Sequence, residues 1–414
     1  MRISVFTPTN NTKWLNQLYD SLVEQTHIDW EWVVVPNHGV KVDLPEDPRI
    51  KIVPIPFDTI RIGALKNFAC SHASGEIYLE CDHDDVLTPD CLWEVNNAFV
   101  NDPDATMVHS NDCHANELLT HPAQIWSKYY GWTYRPFEYK GAKLLENISP
   151  EAIPQNISRI WFAPDHVRAW RATTYWAIGG HDQSMQVSDD HDIVARNYLQ
   201  GKIIHIDKCL YIYRVHGKNA TFEWNKMIQE TMWDNYDKYV ILLCSEWATQ
   251  NELLKVDLGG AIRPQQGYIT CDINTPCDVK ADLNERWPFE DNSVGVFRAV
   301  DLVEHLRDPI HTMNEAYRCL AHGGFFMIEV PSTDGRGAFQ DPTHVSFWNE
   351  NSFWYYTSKP MQEFIKFKAN CQYQAMRIMT KFPNDQCKQQ NIPYAYAHLI
   401  AVKDGKRFYG SYNW

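Results

Sequence analysis

Apolar residues in the first part of the chain occur in short continuous runs that alternate with amphipathic stretches. Continuous runs predict buried strands, and apolar residues at every third or fourth position predict helices. The predicted strands cover residues 3–6, 32–35, 50–55 and 77–80, and the predicted helices cover residues 14–25 and 63–74. Strands that alternate with helices are typical of a parallel, doubly wound sheet. We therefore expect an α/β fold in this half of the chain.

The same alternation begins again after a long helical segment. Residues 222–252 carry apolar side chains at helical spacing, and a strand predicted at 253–258 runs directly into Gly259 and Gly260. A strand that ends in glycines indicates a turn from strand to helix. The pattern thus predicts two domains, residues 1–222 and 253–414, joined by a helical connector over residues 223–252.

Composition and charge narrow the class of protein. The chain has 414 residues, of which 44% are hydrophobic and 22% charged, as in soluble globular proteins. No apolar run is long enough for a membrane span, and the N-terminus lacks a signal-peptide core, so we expect a cytoplasmic protein. Eleven cysteines without a C-x-x-C pair indicate reduced thiols. The net charge of −14 disfavours a nucleic-acid partner, because a phosphate-binding groove needs clustered Lys and Arg.

A group of carboxylates stands directly after the strand predicted at residues 77–80. Asp82, Asp84 and Asp85 surround His83 there. Ligands of open α/β sheets bind at the carboxyl ends of the strands, and closely spaced carboxylates repel one another unless a cation or a proton offsets their charge. Oxygen ligands on a short loop suit Mg²⁺ or Mn²⁺. The alternative is an acidic surface turn in which an aspartate caps the backbone.

Carboxylates recur in the second part of this domain. Asp189, Asp190 and Asp192 stand at the predicted start of a helix, and His216 follows a strand predicted at residues 210–215. Acidic residues in a first helical turn either complement the helix dipole or serve catalysis. A histidine after a strand is likewise either structural or a ligand. The irregular, aromatic segment at residues 112–160 is where we expect the acceptor to bind.

Taken in order, these motifs resemble the inverting glycosyltransferases of family 2, which have the GT-A fold. The motifs that carry the resemblance are Thr7-Pro8-Thr9-Asn10, Ala64-Leu65-Lys66-Asn67, Asp82-His83-Asp84-Asp85, Gly179-Gly180, Asp189-Asp190-His191-Asp192 and Tyr213-Arg214-Val215-His216. The resemblance covers residues 1–221. It implies a nucleotide-sugar donor, a divalent metal, Mn²⁺ or Mg²⁺, and an acceptor hydroxyl on a glycan or another glycoconjugate.

The resemblance also implies roles for individual residues. Asp84 and His216 would hold the metal, and Asp190 would be the general base that takes the acceptor proton. The residues implied to bind the nucleotide sugar are Thr7, Pro8, Thr9, Asn37, Lys66, Asp82 and Asp189. The family usually has an aspartate that reads the base where this chain has Pro36, Asn37 and His38, so the identity of the donor base stays open.

The second half resembles the class I S-adenosylmethionine-dependent methyltransferases, which have a Rossmann-like fold. The resemblance implies that Asp257 and Gly259 belong to the loop that cradles the methionine part of the cofactor. It further implies that Asp272 holds the ribose and that Asp282 lies near the adenine. The loop lacks the family's third glycine. A side chain in place of glycine disfavours a close approach of the ligand to the backbone. Two interpretations stay open, a working methyltransferase and a non-catalytic scaffold that positions the acceptor.

Two further motifs of the second half contain histidine beside carboxylates. Glu304-His305 and Asp341-Pro342-Thr343-His344 either form a methyl-acceptor site or fix a loop. For the whole chain the sequence predicts a metal-dependent glycosyltransferase with a methyltransferase-like second domain. The alternatives are a bifunctional glycosyltransferase and methyltransferase, transfer of a sugar to a modified DNA base, and a non-catalytic scaffold.

Overall fold

The structure is a computed structural model that describes residues 1–56, 59–123 and 125–410. It divides into two compact units, Met1–Val240 and Ile241–Trp414. The helix Asn225–Gln250 begins in the first unit and ends in the second, and it covers most of the predicted connector. The domain boundaries expected at residues 222 and 253 stay predictions.

Strands and helices alternate at the start of the first unit, as the hydrophobic pattern predicts. Its strands are β1 Ile3–Thr9, β2 Trp30–Pro36, β3 Ile50–Ile52, β4 Ile77–Glu80, β5 Val86–Leu87, β6 Ala105–Asn116, β7 Tyr134–Tyr139, β8 Ala142–Asn147, β9 Arg168–Arg171 and β10 Lys202–Val215. Its helices are α1 Leu15–Val23, α2 Ile62–Ser71, α3 Cys91–Asn101, α4 Pro154–Ile157, α5 Ala172–Ala177, α6 Asp189–Tyr198, α7 Ala220–Glu223 and the shared helix α8 Asn225–Gln250. A 3₁₀ turn covers Lys128–Tyr130.

The sheet of the first unit is mixed rather than entirely parallel. Its strand order is β3-β2-β1-β4-β9-β6-β10-β5, and the β7–β8 hairpin joins it through β6. Strands β1 to β4 pair in parallel, but β9 lies antiparallel between β4 and β6, and β5 is antiparallel to β10. The expectation of a parallel, doubly wound sheet is therefore wrong for this side of the sheet. Strand β3 also ends at Ile52 rather than at residue 55, since Pro54 and Pro56 lack the N–H that a longer ladder needs.

Apolar side chains of the central strands and of α1 fill the interior of the first unit. Leu15, Leu18 and Leu22 of α1 are buried against the sheet, and each such side chain stabilises the fold by about 1.5–3 kcal/mol. The hydrophobic pattern of the sequence also predicts Val23 on this buried face, but Val23 is 48% exposed. That expectation is wrong because adjacent helical residues point about 100° apart.

Strand pairing brings several polar strand ends to one edge of this sheet. Strands β1 and β4 run parallel with Phe6 opposite Glu80, so the segments that follow them leave the sheet on the same side. Strand β9 runs the other way and begins at Arg168, which pairs with Glu80. A basic residue from a distant part of the chain thus lies next to the carboxyl end of β4.

The second unit has its own sheet and core. Its strands are β11 Leu254–Leu258, β12 Ile269–Asp272, β13 Val279–Lys280, β14 Val294–Val300, β15 Leu320–Pro331, β16 Tyr373–Lys381 and β17 Tyr394–Ala401. Its further helices are α9 Pro309–Cys319, α10 Gly337–Gln340, α11 Glu350–Thr357, α12 Lys359–Gln362 and α13 Asp385–Gln389, with a 3₁₀ turn at Val303–His305.

The order of strands in the second sheet is β13-β12-β11-β14-β15-β17-β16, parallel from β13 to β15 and antiparallel at β17 and β16. Trp287, Phe297 and Phe326 pack edge to face in its core. The expected α/β character of both halves is confirmed. In the part of the chain that the structure describes, no helix is both long and apolar enough to cross a membrane.

Candidate active site

Lys66 lies at the centre of a buried group of charges in the first unit. Its Nζ atom is 2.6 Å from Glu80 Oε1, at the end of β4, and 3.0 Å from Asp189 Oδ2, at the start of α6. Burial alone would lower the pKa of Lys66, but Asp189 and Glu80 raise it above its ordinary value. Lys66 was expected to contact the donor, and the structure places its ammonium group between two carboxylates of the chain.

Asp190 is held by an arginine that comes from β9. Arg168 Nη1 donates to Asp190 Oδ2 at 2.8 Å, and the backbone N–H of His191 donates to Oδ1 at 2.8 Å. The arginine is itself fixed, since it also donates to the carbonyl oxygens of Pro164 and Phe162. Burial alone would raise the pKa of Asp190, but Arg168 and Lys66 lower it below the ordinary value. Asp190 is therefore ionised and oriented.

Asp85 anchors the carboxylate loop from inside the protein. Its side chain is buried and accepts hydrogen bonds from Tyr211 Oη at 2.7 Å and from the backbone N–H of Arg214 at 2.6 Å. The Tyr211 hydroxyl also accepts from the backbone N–H of Asp82 at 3.1 Å. The loop that follows β4 is thus tied to β10, which explains why Asp82 and Asp84 have defined positions.

Asp82 has an unusual proton affinity for a carboxyl group. Burial, together with the charges of Glu80 and Asp84, raises the pKa of Asp82 to about 7, while Lys66 acts in the opposite direction. The neighbouring carboxylates repel a negative charge on this group and make it difficult to ionise. A cation beside the group would relieve this repulsion. The carboxylates around Asp82 therefore carry more negative charge than Lys66 offsets.

Asp84 and His216 meet at the same edge from two different strands. His216 Nε2 lies 2.7 Å from Asp84 Oδ2, and the imidazole ring stacks on Trp14 with ring centroids 4.7 Å apart. The backbone N–H of Lys218 donates to His216 Nδ1 at 3.2 Å, so Nε2 carries the proton and donates to Asp84. Nε2 would bind a metal ion in the other tautomer, in which Nδ1 carries the proton and no longer accepts from Lys218.

The donor atoms at this edge fit a divalent ion that takes its remaining ligands from elsewhere. Carboxylate oxygens are ligands that suit Mn²⁺ and Mg²⁺, whereas an imidazole nitrogen is a ligand of transition metals rather than of Mg²⁺. Among the described residues, Asp84 and His216 are not part of any set of three closely spaced ligand atoms. A metal at this place would complete its coordination with water and the oxygens of a diphosphate.

The other residues expected to bind the donor lie along the ends of β1 and β2. The Thr7 hydroxyl is used inside the sheet, where it donates to the Cys81 carbonyl at 2.8 Å and accepts from Trp32 Nε1. Pro8 is part of β1, and the Thr9 hydroxyl donates to its own loop. Asn37 Nδ2 donates to the Thr59 carbonyl at 2.7 Å, and among the described residues its Oδ1 has no partner.

Sequence reasoning missed Glu80, Arg168 and Tyr211 as members of the site. Glu80 is the one acid in the apolar run of β4, which is a signal that could have found it. Arg168 begins a strand that the hydrophobic pattern does not predict. Tyr211 reads as a core residue of β10, because only its hydroxyl reaches the carboxylate loop. The last two depend on contacts between distant parts of the chain.

Comparison with known protein families agrees with this arrangement. Residues 4–159 match the model of the family described as glycosyl transferase family 2. The first unit contains a family 2 glycosyltransferase domain. Residues 262–328 match a model described as a methyltransferase domain, so the second unit contains a methyltransferase-type domain. The expected combination of a family 2 glycosyltransferase domain with a methyltransferase-type domain is confirmed.

Curated relatives resemble about half of the chain. A chondroitin synthase and a hyaluronan synthase of Pasteurella multocida are each 23% identical over 230 residues, which is 53% of this chain and 21% of each relative. An uncharacterised glycosyltransferase of Nostoc sp. is 26% identical over 228 residues, 53% of this chain and 66% of that protein. The chain spans about a fifth of the length of the two synthases.

Solved structures give weak overall superpositions. Staphylococcus aureus TarS, solved in complex with UDP-GlcNAc, has a TM-score of 0.40 and 17% identity over 61% of this chain and 72% of that one. The mannosyltransferase PcManGT of Pyrobaculum calidifontis, in complex with GDP-Man and Mn²⁺, has a TM-score of 0.36 and 16% identity over 58% and 64% of the two chains.

In the methyltransferase-type domain, the loop expected to cradle S-adenosylmethionine makes several contacts within the chain. Asp257 accepts hydrogen bonds from Arg298 Nη1 at 2.9 Å and from the backbone N–H of Gln265 at 2.7 Å. Gly259 adopts a left-handed conformation with φ of 75°, and a Cβ atom there would lie 3.2 Å from the Leu302 side chain. The backbone of Gly259 is therefore covered by Leu302.

The two acids expected at the ribose and the adenine are also engaged locally. Asp272 accepts from the backbone N–H groups of Ala261 and Asn274, and Asp282 accepts from that of Asn284. These contacts stabilise turns within the loop. Each carboxylate keeps further acceptor sites beyond these contacts, so the assignment of these residues to S-adenosylmethionine stays a prediction.

Proposed function

We propose that the first unit transfers a sugar from a nucleoside diphosphate sugar to a hydroxyl group of a glycan or another glycoconjugate, with inversion at the anomeric carbon. The observation that supports this function is the grouping of Asp82, Asp84 and Asp190. Asp82 and Asp84 lie in the loop after β4 and Asp190 lies at the start of α6, yet the charges of Asp82 and Asp190 act on Lys66 and that of Asp84 acts on Asp82. The match to family 2 points to the same chemistry.

Asp84 and His216 hold Mn²⁺ or Mg²⁺ in this proposal. A divalent ion supplies positive charge to the diphosphate as it leaves. Asp85, Tyr211 and Arg214 keep the loop of Asp84 in place, and Trp14 keeps the ring of His216 in place. Asn37 Oδ1 is a free acceptor among the described residues, and we assign to it a hydrogen bond from the donor base.

Asp190 acts as the general base. Because its pKa lies below the ordinary value, its carboxylate is ionised at neutral pH and accepts the proton of the acceptor hydroxyl. The hydroxyl oxygen forms the bond to the anomeric carbon as the bond from that carbon to the diphosphate oxygen breaks, and the electron pair of the broken bond leaves with the diphosphate. Direct displacement of this kind inverts the anomeric centre. Arg168 is a positioning residue that holds Asp190 in one orientation.

Calorimetric binding of nucleoside diphosphates tests this function. The panel contains the uridine, guanosine, thymidine, cytidine and adenosine diphosphates, each with and without Mn²⁺. We expect Mn²⁺-dependent binding of one nucleotide to the wild-type chain and loss of this binding in Asp84→Ala. The matched control is Asp104→Ala, which removes an exposed aspartate of the same unit and should bind as the wild type does.

The outcomes of this titration separate the function from its rivals. Binding of one nucleotide that requires both Mn²⁺ and Asp84 would identify the donor class. Failure of a folded wild-type chain to bind any member would contradict the proposal and favour a non-catalytic scaffold. Binding that is equally strong in Asp84→Ala would contradict the metal role of Asp84.

A further inference from the structure

A second group of potential metal ligands lies in the second unit, outside the sugar-transfer site. Glu304 and His305 belong to the 3₁₀ turn after β14, and His344 lies in the loop after α10. One ligand atom from each of the three residues lies within 4.8 Å of the other two. Throughout the described residues this is the only group of three or more His, Cys, Asp or Glu side chains with such spacing.

Glu304 is buried without a partner for its charge. Its side chain is 3% exposed, and neither carboxylate oxygen has a hydrogen-bond partner in the described chain. The nearest basic atom is His344 Nε2, 3.9 Å from Oε1, which is too far for a hydrogen bond. A buried carboxylate that lacks both a hydrogen bond and a cation is costly, and such groups are normally paired or bound to metals.

Both histidines present a free nitrogen lone pair. His344 Nδ1 lies 2.9 Å from the Ala338 carbonyl oxygen, which can only accept, so Nδ1 carries the proton and Nε2 does not. His305 Nδ1 lies 3.2 Å from the Thr343 carbonyl oxygen and is the donor for the same reason. The Thr343 hydroxyl proton is used by Asp341. In metal-binding histidines, the ring nitrogen that does not bind the metal usually donates such a hydrogen bond, which fixes the orientation of the ring.

The backbone holds the three residues together before any ligand binds. The N–H groups of Val345 and Ser346 both donate to the Glu304 carbonyl oxygen, at 2.8 and 3.0 Å. The Ser346 hydroxyl donates to the Val303 carbonyl at 2.9 Å. The loop of His344 is therefore fixed against the turn of Glu304 and His305, which keeps the three ligand atoms within 4.8 Å of one another.

We propose that Glu304, His305 and His344 bind one divalent transition-metal ion. The donor atoms of these three side chains favour Zn²⁺. Two imidazole nitrogens and one carboxylate oxygen form a ligand set that catalytic zinc sites use, with a fourth position left for water or substrate. His305 is partly buried and the side chain of His344 is 7% exposed, so the group lies just below the surface of the unit. The ligand class for the fourth position is an oxygen donor, either water or a hydroxyl or carboxylate group of a small molecule.

Zinc titration of the full chain, stripped of metal with a chelator, tests this site. In an Asp84→Ala background, which lacks the metal ligand proposed for the first unit, we expect one zinc ion per chain by calorimetry. Adding His305→Ala or His344→Ala should weaken this binding by more than about 100-fold, because loss of a group behind a metal ligand already costs about 10–100-fold. Co²⁺ in place of Zn²⁺ should give a visible absorption band that the same variants remove.

His322→Ala is the matched control, since it removes a half-exposed histidine of the same unit that lies 3.5 Å from a carboxylate. It should bind zinc as the Asp84→Ala protein does. Glu304→Gln keeps the shape of the buried side chain and removes the anionic ligand, so it serves if a histidine variant does not fold. The proposal is overturned if the Asp84→Ala chain binds no zinc, or if folded His344→Ala and Glu304→Gln bind it with unchanged affinity.

Discussion

Glu80, Asp189 and Asp190 of the first unit lie beside cations that the chain supplies, whereas Glu304 of the second unit has no such neighbour among the described residues. Lys66 contacts Glu80 and Asp189, and Arg168 contacts Asp190. The consequence is visible in proton affinity. Arg168 and Lys66 overcome burial and lower the pKa of Asp190, while burial raises the pKa of Glu304 to about 8.

The charge of a buried acid after a strand is therefore compensated in two different ways in the two units. In the first unit, the carboxylate is ionised and oriented before a ligand arrives, which suits a group that must accept a proton. In the second unit, no cation of the described chain contacts Glu304, so its charge is offset by a proton or by a cation from outside, which suits a group that binds a cation. Four substitutions test this contrast, and each changes the charge at one of these buried sites or at a similar one.

Removal of the Asp190 charge should have the largest effect. Asp190→Asn keeps the shape of the side chain and its contact with Arg168, but it cannot accept a proton. We expect sugar transfer to fall by about 10²–10⁴-fold, with nucleotide binding unchanged. The measurement is the rate of nucleoside diphosphate release with donor and acceptor present, beside calorimetry of the nucleotide. Asp104→Asn should retain full activity, and an active Asp190→Asn would exclude Asp190 as the base.

Removal of the Lys66 ammonium group should have the next largest effect, which is a loss of stability of the first unit. Lys66→Met preserves much of the side-chain volume but leaves Glu80 and Asp189 buried together without their cation. Breaking a buried ion pair in this way costs about 3–5 kcal/mol in the free energy of unfolding. Thermal melting followed by circular dichroism measures the loss. Lys202→Met removes an exposed cation that pairs with Asp102 and should leave the melting temperature nearly unchanged.

A buried carboxylate at the opposite end of the sheet tests the same balance through pH. Glu31 of β2 accepts from Ser4 Oγ and Ser74 Oγ and lies 2.7 Å from Lys51 Nζ. Burial alone would raise the pKa of Glu31, but Lys51, Ser4 and Ser74 lower it to about 2. A carboxyl with a lowered folded-state pKa stabilises the fold above its unfolded pKa of about 4.3, and this stabilisation is lost as the pH falls toward 2.

Glu31→Gln should therefore destabilise the first unit by about 2 kcal/mol at pH 7 and by less at pH 3. Melting curves of both proteins at the two pH values measure the difference. Glu46→Gln, at an exposed position of the same unit, should differ little from the wild type at either pH. A loss of stability for Glu31→Gln that does not depend on pH would show that packing, rather than charge, is responsible.

Local patterns in the sequence were sufficient to predict several strands and the position of the acidic residues in the first unit. The apolar runs of β1, β2 and β4 and the acidic residues after β4 are local features, and they place Asp82, Asp84 and Asp85 at a strand end. Family resemblance added the roles, with Asp190 as the general base and His216 as a metal ligand. Both kinds of information depend on residues that are close in sequence or recur in a known order.

The partners of these carboxylates could not be read in the same way. Arg168 reaches Glu80 and Asp190 only because β9 enters the sheet antiparallel between β4 and β6, and strand order is set by contacts between distant segments. Lys66 was expected at the donor for its place in a motif, yet its position on α2 directs it to Glu80 and Asp189. Charge pairing is a property of the assembled fold, so the sequence identifies the acids more readily than it identifies what offsets them.

Neutralising Glu304 should have the smallest effect on stability, which sets it apart from Lys66→Met. Because neither Glu304 oxygen has a hydrogen-bond partner in the described chain, Glu304→Gln breaks no pair, and we expect the metal-free protein to change by less than about 1 kcal/mol. Thermal melting with a chelator present measures this. With zinc in excess, the wild type should melt at a higher temperature and Glu304→Gln should not, since only an ion that binds the folded state raises its stability. A large loss of stability in the chelated variant would show that Glu304 is already paired within the chain, and the contrast between the two units would then fail.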